Sequence, residues 1–314
     1  MDVTIVIRAR NEAGSIGKVL DAIATQIFDG QIETVVVDTE STDGTPEIAK
    51  EKHAHVVSIT RNAFTWGHAL NLGASAGIGQ FIVNLSAHAV PADEHWLTNM
   101  IQPLREDNRV AGAFGRQLAI DHADPFEAVE LNLWFPDWSE ARPSSSFSNA
   151  NGALRRSLWE QHPFDEAVMI GEDTVWAKHI LKQNYKLMYQ PLGCVFHNHD
   201  LDVHSKESTN SIFVRWYWRS YVAAQFDDTY RGADVRFALS GFRNYASQSF
   251  RHLRDMGLFA QMCKIPIYEF IRQYASWLGA RDQQHGYIPT GSTWLNKYFS
   301  PRPPLFIRIL GAFL

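Results

Sequence analysis

The sequence predicts an α/β protein with a mainly parallel sheet flanked by helices, followed by a C-terminal helical region. In the first half of the 314-residue chain, short apolar runs alternate with segments of helical spacing, which is typical of strand-helix-strand units. From about residue 206 the chain becomes amphipathic and rich in Arg and aromatic residues, with no obvious strand. We therefore expect two parts, residues 1–205 and residues 206–314.

The first four strands are predicted from nearly continuous apolar runs, as expected when both faces of a parallel sheet are covered. These runs are VTIVIRA (3–9), ETVVVDTE (33–40), VVSIT (56–60) and QFIVNLSA (80–87). Between them, apolar residues three and four positions apart predict helices, among them 13–26 and 68–78.

The middle of the chain is less regular. The pattern there predicts a helix in PADEHWLTNMIQPLRED, a strand in VAGAFGRQLAI, a polar loop at 135–152, two helices in RRSLWEQH and GEDTVWAKHILKQNY, and a strand-like segment at 186–200.

Composition excludes several classes of protein. Hydrophobic residues make up 45% and charged residues 20%, as in folded globular proteins. A net charge of -5 and a pI near 6.2 argue against nucleic acid as a partner. The two cysteines are far apart, so they suggest neither a disulfide framework nor a zinc site. We find no signal-peptide pattern and no apolar run of about 20 residues, so we expect a cytoplasmic protein.

One glycine-rich stretch, GASAGIG (73–79), matches the dinucleotide-binding turn of short-chain dehydrogenases. That turn should follow the first strand and open a helix, whereas this one ends a helix and leads into a strand. No tyrosine has a lysine four residues later, so the catalytic pair of those enzymes is also absent. We interpret the glycines as close helix-sheet packing, expect no organic cofactor, and keep the dehydrogenase as an alternative only.

Polar side chains follow each of the first four strands. In an open parallel sheet, ligands bind outside the carboxyl ends of the strands. Any one of these residues could lie in a solvated turn, but four such groups in succession predict a binding edge. The groups are Arg8, Arg10, Asn11 and Glu12; Asp38, Glu40, Ser41, Thr42 and Asp43; Arg61 and Asn62; and Ser86 and His88.

Five blocks, in this order, resemble the successive motifs of bacterial family 2 glycosyltransferases, in particular the branch with rhamnosyltransferase-type polysaccharide enzymes. They are VIRARNEA, VVVDTESTDGTPEIA, WGHALNLGASAGIGQFIVNLSAHAVPADEHWL, FSNANGALRRSLWEQHPFDE and GEDTVWAKHIL. The resemblance covers residues 1 to about 205. It implies a GT-A fold and inverting transfer of a sugar from a nucleoside diphosphate sugar to a hydroxyl of a glycan or lipid-linked acceptor.

The resemblance also implies roles for individual residues on the donor side. Asp38 matches the aspartate that contacts the nucleoside, and Glu12 lies in the block near the ribose or base. Asp43 is the second acid of its block, although an aspartate before glycine often bonds its own turn. Three arginines, Arg8, Arg10 and Arg61, are candidates to face the diphosphate. Asn149 and Asn151 lie in the matched block at the end of the polar loop.

On the acceptor side, Asp173 matches the aspartate that serves as catalytic base, with Glu172 as the alternative. An inverting transfer needs one carboxylate beside the acceptor hydroxyl. Adjacent residues point in different directions, so sequence does not decide between the two acids. Taken alone, the pair would also fit an acidic helix start.

The sequence departs from the family at Ser86-Ala87-His88, where most members carry Asp-any-Asp or Thr-Gln-Asp to bind a divalent cation. Imidazole suits Mn²⁺ better than Mg²⁺, so we expect Mn²⁺ if a cation binds, with His88, His197 and His199 as candidate ligands. Two alternatives stay open. In the first, His88 bonds the diphosphate directly; in the second, the protein binds a nucleotide sugar without catalysing transfer.

Two C-terminal stretches, 212–226 and 299–314, combine Arg with aromatic residues. Such stretches fit contact with the inner face of the membrane, or equally a homodimer face. Ordinary helix packing is the preferred interpretation of the first stretch.

Overall fold

The computed structural model describes residues 1–120, 125–168, 171–197, 208–226 and 235–285, together with 306, 307 and 310. It has the expected mixed α/β architecture, with one nine-stranded sheet and a helical C-terminal region. The strands are β1 Val3–Ala9, β2 Ile32–Asp38, β3 His55–Ser58, β4 Phe81–Ser86, β5 Ala89–Pro91, β6 Val110–Leu118, β7 Arg142–Ser144, β8 Asn151–Arg155 and β9 Lys186–His197.

The described helices are α1 Ile16–Ala24, α2 Thr45–Glu51, α3 Trp66–Ser75, α4 Trp96–Glu106, α5 Pro125–Trp134, α6 Arg156–Gln161, α7 Glu172–Lys182, α8 Ser208–Phe226, α9 Val235–Asp255 and α10 Ile265–Gln284. A 3₁₀ helix, Phe259–Lys264, joins the last two.

The sheet is mainly parallel, as predicted. Its order is β3-β2-β1-β4-β8-β6-β9-β5, with β7 paired to β9. Parallel pairing joins the first four strands and also joins β6 to β9, whereas β5, β7 and β8 run antiparallel to their neighbours. The carboxyl ends of β1, β2 and β4 therefore lie side by side at one edge.

The sequence analysis missed β8, whose residues Asn151–Arg155 begin in the predicted loop 135–152 and end in the predicted helix RRSLWEQH. Three further elements were also missed. The strands β5 and β7 have three residues each, too few for alternation to be recognised, and both depend on pairing with β9. The third is α5, which has apolar residues around most of its circumference. The predicted loop 135–152 therefore contains β7 and ends in β8.

The glycines of GASAGIG pack against the sheet, which confirms the packing interpretation. A β-carbon on Gly73 would overlap Val6 and Val37, and one on Gly79 would overlap the backbone of Val3 and Thr4. The stretch ends α3 and leads into β4, so it does not have the position of a dinucleotide-binding turn.

Contacts divide the chain into two compact units. One contains residues 1–123 and 130–199, and the other contains residues 124–129 and 200–314. In the second unit, α8 packs on α10 and buries Phe213, Trp216, Tyr217 and Trp218. Residues 212–226 thus form packed helix, the preferred interpretation of that stretch. Most of 299–314 lies outside the described residues.

The second unit also contains a buried ion pair within α10. Arg272 and Glu269 are 2% and 1% exposed, and the guanidinium lies over the ring of Tyr245. Among the helices of the described part of the chain, none combines the length and apolarity required to cross a bilayer.

We predict that Gly79→Ala lowers the free energy of unfolding by about 1–3 kcal/mol, because the new methyl group would push against main-chain atoms that cannot rotate away. Urea denaturation measures the change. Gly14→Ala is the matched control, since a β-carbon there has open space and should leave stability unchanged or slightly higher. Equal stability of the two variants would contradict the packing role.

Candidate functional site

Strand register brings several predicted residues to the carboxyl edge of the sheet. Arg8 lies opposite Ser86 in the pairing of β1 with β4. Asp38 lies opposite Ala9 in the pairing of β1 with β2. Three residues that are far apart in sequence therefore share one edge.

Asp38 ends β2 and is 4% exposed. Its Oδ2 accepts a hydrogen bond from the backbone N–H of Ser41 at 3.1 Å, while its buried Oδ1 has no hydrogen-bond partner among the described residues. A buried carboxylate oxygen without a partner is costly, so it is suited to accept a hydrogen bond from a ligand hydroxyl.

Arg10, which follows β1, and Arg61, which follows β3, form a cationic group. Burial, and then the positive charge of Arg61, lower the pKa of Arg10, so the two arginines lie close enough to repel each other. Glu40 partly balances them, with 3.6 Å between its Oε2 and Nε of Arg61. Two positive charges held together favour an anion with at least two charges.

His88 contacts both a neighbouring residue and the loop after β1. Its Nε2 lies 3.1 Å from Oγ of Ser86, and its Nδ1 lies 3.1 Å from Oε1 of Glu12. Burial would raise the pKa of Glu12, but the hydrogen bond and charge of His88 hold it below its ordinary value. Glu12 is therefore a carboxylate partner of His88.

His197 ends β9 beside His88. The two rings are stacked, with centroids 5.0 Å apart, and Nδ1 of His197 lies 2.6 Å from Oε1 of Gln117. His199 lies outside the described residues.

The described residues contain no group of three His, Cys, Asp or Glu side chains placed to hold a metal ion. At the position of the missing aspartates, both nitrogens of His88 already face hydrogen-bonding partners. The side chains in this part of the chain thus do not fit a cation held by protein ligands alone. The metal assignment of His88, His197 and His199 stays a prediction.

The second part of the site is the acidic pair at the start of α7. Glu172 is 5% exposed and lies 3.6 Å from Nη1 of Arg8, measured from its Oε1. The same oxygen accepts a hydrogen bond from Nδ2 of Asn149 at 3.1 Å. Asn149 in turn accepts one from Asn84 at 2.8 Å. A buried polar network thus connects β1, β4, the loop before β8 and α7.

Asp173 is more exposed than Glu172 and has different partners. The backbone N–H of Thr174 donates to its Oδ1 at 2.7 Å, and the backbone N–H of Asn149 approaches its Oδ2 at 3.5 Å. Burial, and then the negative charge of Glu172, raise the pKa of Asp173 to about 7, against the opposing effects of these N–H groups and of Arg8. Such a carboxylate is a base suited to neutral pH.

Two other predicted residues have mainly structural contacts. Asp43 accepts hydrogen bonds from Thr45 and from the backbone N–H of Ala13, as in the turn-forming alternative. Asn151 is fully buried, and its amide bonds the Trp96 indole and the Gly193 carbonyl. Those contacts occupy its amide, so they give its predicted role in donor binding no support.

Sequence reasoning missed three residues of the site. Trp66 stacks on Arg8, with the guanidinium carbon 4.4 Å from the ring centroid. The side-chain amide of Asn84 donates a hydrogen bond to that of Asn149, and the side-chain oxygen of Gln117 is the hydrogen-bond partner of His197. Only Asn84 carried a recognisable signal, because it is a polar residue in the middle of the apolar run FIVNLS.

Comparison with known proteins agrees with the blocks found in the sequence. Residues 4–150 match the family described as Glycosyl transferase family 2. The O-antigen chain rhamnosyltransferase RfbN of Salmonella typhimurium is 27% identical over 214 residues, covering 64% of this chain and 67% of that protein. For WbaN of Salmonella anatum, also an O-antigen chain rhamnosyltransferase, identity is 27% over 54% of this chain and 57% of the relative.

Solved structures support the fold. A mannosyltransferase from Pyrobaculum calidifontis, solved with GDP-Man and Mn²⁺, aligns with a TM-score of 0.54 at 18% identity, over 99% of this chain and 86% of that one. TarS of S. aureus (residues 1–349) aligns with a TM-score of 0.53 at 14% identity, over 92% and 93%. The expected GT-A fold is confirmed.

The raised pKa of Asp173 predicts a pH-dependent loss of stability. The folded protein holds this proton more tightly than the unfolded chain does, so stability should fall as pH rises from about 4 to about 7. Asp173→Asn removes this charge. We compare the Tm of Asp173→Asn with that of the unsubstituted protein at each pH. The two values should be equal near pH 4, and the Tm of the variant should be several degrees higher by pH 8. Asp29→Asn, at an exposed position, is the control. If the Tm difference between Asp173→Asn and the unsubstituted protein did not change with pH, the raised pKa of Asp173 would be contradicted.

Proposed function

Since residues 4–150 belong to glycosyl transferase family 2, we propose that this protein is an inverting glycosyltransferase. Its donor would be a nucleoside diphosphate sugar, and its acceptor a hydroxyl of a glycan or lipid-linked glycan in polysaccharide synthesis. The relatives named as O-antigen chain rhamnosyltransferases support this class of product. The observation that carries the proposal is the acidic pair on α7, whose raised pKa at Asp173 suits a base.

In the proposed complex, residues 1–205 bind the donor at the carboxyl edge of the sheet. The uncompensated oxygen of Asp38 accepts a hydrogen bond from a ribose hydroxyl. Arg10 and Arg61 supply positive charge to the diphosphate, and Ser86 and His88 complete that side of the site.

Asp173 acts as the catalytic base in this mechanism. Its carboxylate takes the proton of the acceptor hydroxyl while that oxygen forms a bond to the anomeric carbon. The bond from the anomeric carbon to the donor phosphate breaks at the opposite face, and the nucleoside diphosphate leaves with the electron pair. One proton acceptor is sufficient, and Glu172 is already engaged by Arg8 and Asn149.

We also predict that a divalent cation binds with the donor. The mannosyltransferase neighbour was solved with Mn²⁺, which supports testing that ion first, with Mg²⁺ as comparison. Because the described side chains do not form a three-ligand site, no step above depends on a metal.

The C-terminal region, residues 206–314, is proposed to contact the inner face of the membrane or a second subunit. It contains 14 Lys and Arg residues against 7 Asp and Glu, although the whole chain has a net charge of -5. An excess of positive charge favours an anionic membrane surface, where a lipid-linked acceptor would be found.

A second candidate is a relative that binds a nucleotide sugar but does not transfer it. The observation in its favour is Ser86-Ala87-His88 in place of the acidic motif. Assays of transfer and hydrolysis with UDP-, dTDP- and GDP-sugars, with and without Mn²⁺ or Mg²⁺, separate the two. Binding without turnover under every condition would replace the enzyme by the binding protein.

We predict that Asp173→Asn lowers the rate of transfer about 10²- to 10⁴-fold, because the isosteric amide cannot accept the proton. The donor should still bind with nearly unchanged affinity, as isothermal titration calorimetry would measure. A variant that retains full activity would remove Asp173 from the role of base.

We predict that His88→Ala weakens binding of the nucleoside diphosphate about tenfold or more, because a hydrogen bond to a charged group is lost. Calorimetry with and without Mn²⁺ measures the change. The exposed His55→Ala serves as the control. If affinity and metal dependence were both unchanged in His88→Ala, His88 would be a turn residue only.

A further inference from the structure

Arg8 was expected to face the donor diphosphate, but its strongest described contacts are on the other side of the site. Its side chain is 13% exposed and ion-paired with Glu172, and its guanidinium lies on the face of Trp66. An arginine held between an aromatic ring and a buried carboxylate has little freedom to reach a mobile ligand.

We infer that Arg8 is a positioning residue of the acidic pair: as ion-pair partner of Glu172 it holds that side chain in place, so that Asp173 is the group that takes the acceptor proton. The inference rests on the proposed function, and it assigns complementary roles to two acids that sequence could not distinguish.

The first step of the argument concerns Glu172. A carboxylate that is 5% exposed would be strongly disfavoured without compensation. Arg8 supplies a positive charge to one of its oxygens and Asn149 an N–H group to the same oxygen. The side chain of Glu172 is therefore held in place by these two partners, which leaves the role of proton acceptor to Asp173.

The second step concerns Asp173. The charged groups that act on it are Glu172 from its own helix and Arg8 from β1, while the loop before β8 contributes the neutral backbone N–H of Asn149. Glu172 raises the pKa of Asp173 and Arg8 lowers it. The balance between these two charges thus sets the pH at which Asp173 becomes a base.

The third step concerns the effect on the acidic pair when the positive charge of Arg8 is removed. Two neighbouring carboxylates that share a buried site with no counter-charge cannot both ionise readily, so they would hold one proton between them to higher pH. That proton would occupy the base at neutral pH. Loss of Arg8 should therefore have a pH-dependent effect, and not merely a uniform loss of activity.

The test uses pH profiles of sugar transfer by the 314-residue chain. In Arg8→Met the acidic limb of kcat should move upward by about one pH unit or more. In Glu172→Gln it should move downward. In the double variant the two opposing charges are both absent, so the limb should return toward that of the unsubstituted protein. Arg8→Lys keeps the charge and should restore the limb, even if the loss of stacking on Trp66 lowers the rate.

Arg156→Met is the matched control. Arg156 lies in the same unit and bonds the carbonyls of Ala74 and Gly79, away from the acidic pair. Its replacement should lower Tm and leave the pH profile in place. If Arg8→Met behaved in the same way, with activity reduced equally at every pH, Arg8 would be structural and the inference would be overturned.

A readout without turnover separates this inference from the proposed function. At each pH, the Tm of the unsubstituted protein is compared with that of Asp173→Asn. The Tm of Arg8→Met is compared in the same way with that of the double variant that carries Arg8→Met and Asp173→Asn. The difference between the two Tm values starts to grow near the pKa of the unfolded chain and stops growing at the pH where folded Asp173 has lost its proton, and this upper pH should be higher in Arg8→Met. Absence of transfer with every donor would reject the proposed function, whereas an unchanged upper pH of the Tm difference would reject the role of Arg8.

Discussion

A positive charge that is almost buried at the carboxyl edge of the sheet must be compensated, and this requirement organises the site. Arg8 projects from β1 and meets Glu172 at the start of α7, while Trp66 covers its guanidinium. A buried ion pair of this kind contributes little net stability, but it is costly to break because either partner alone would be a buried charge. The start of α7, and Asp173 with it, is therefore held against the strand that also borders the donor edge.

The two asparagines extend this constraint to the rest of the sheet. Asn84 lies in the middle of β4 and holds Asn149, which bonds one acid by its side chain and approaches the other by its backbone. Residues from four separate segments thus share one polar network. In the proposed function, this network would keep the base in position before the acceptor arrives.

The Ser86-Ala87-His88 segment changes the charge of the donor edge. Where the resemblance to the family predicts an acidic motif, this chain has a hydroxyl and an imidazole, and Glu12 bonds that imidazole. Arg10 and Arg61 bring two further positive charges. In the proposed function, an edge with fewer acids and more cations can accept a diphosphate with less dependence on a metal ion, which makes the metal requirement the most informative property to measure.

The sequence by itself predicted most of the strands and helices of the first unit, the residues at the carboxyl edge, the packing role of the glycines and the resemblance to the family, because periodicity and motifs are local properties of the chain. It missed β5, β7, β8 and α5, whose patterns are too short or too uniform. Only the tertiary structure decided that Asn151 is committed to the core, that Glu12 pairs with His88, and that Arg8 faces Glu172. It also distinguished the adjacent acids Glu172 and Asp173. Each of these depends on a partner from a distant segment, and the pairing of side chains across a fold is set by packing that no local pattern records.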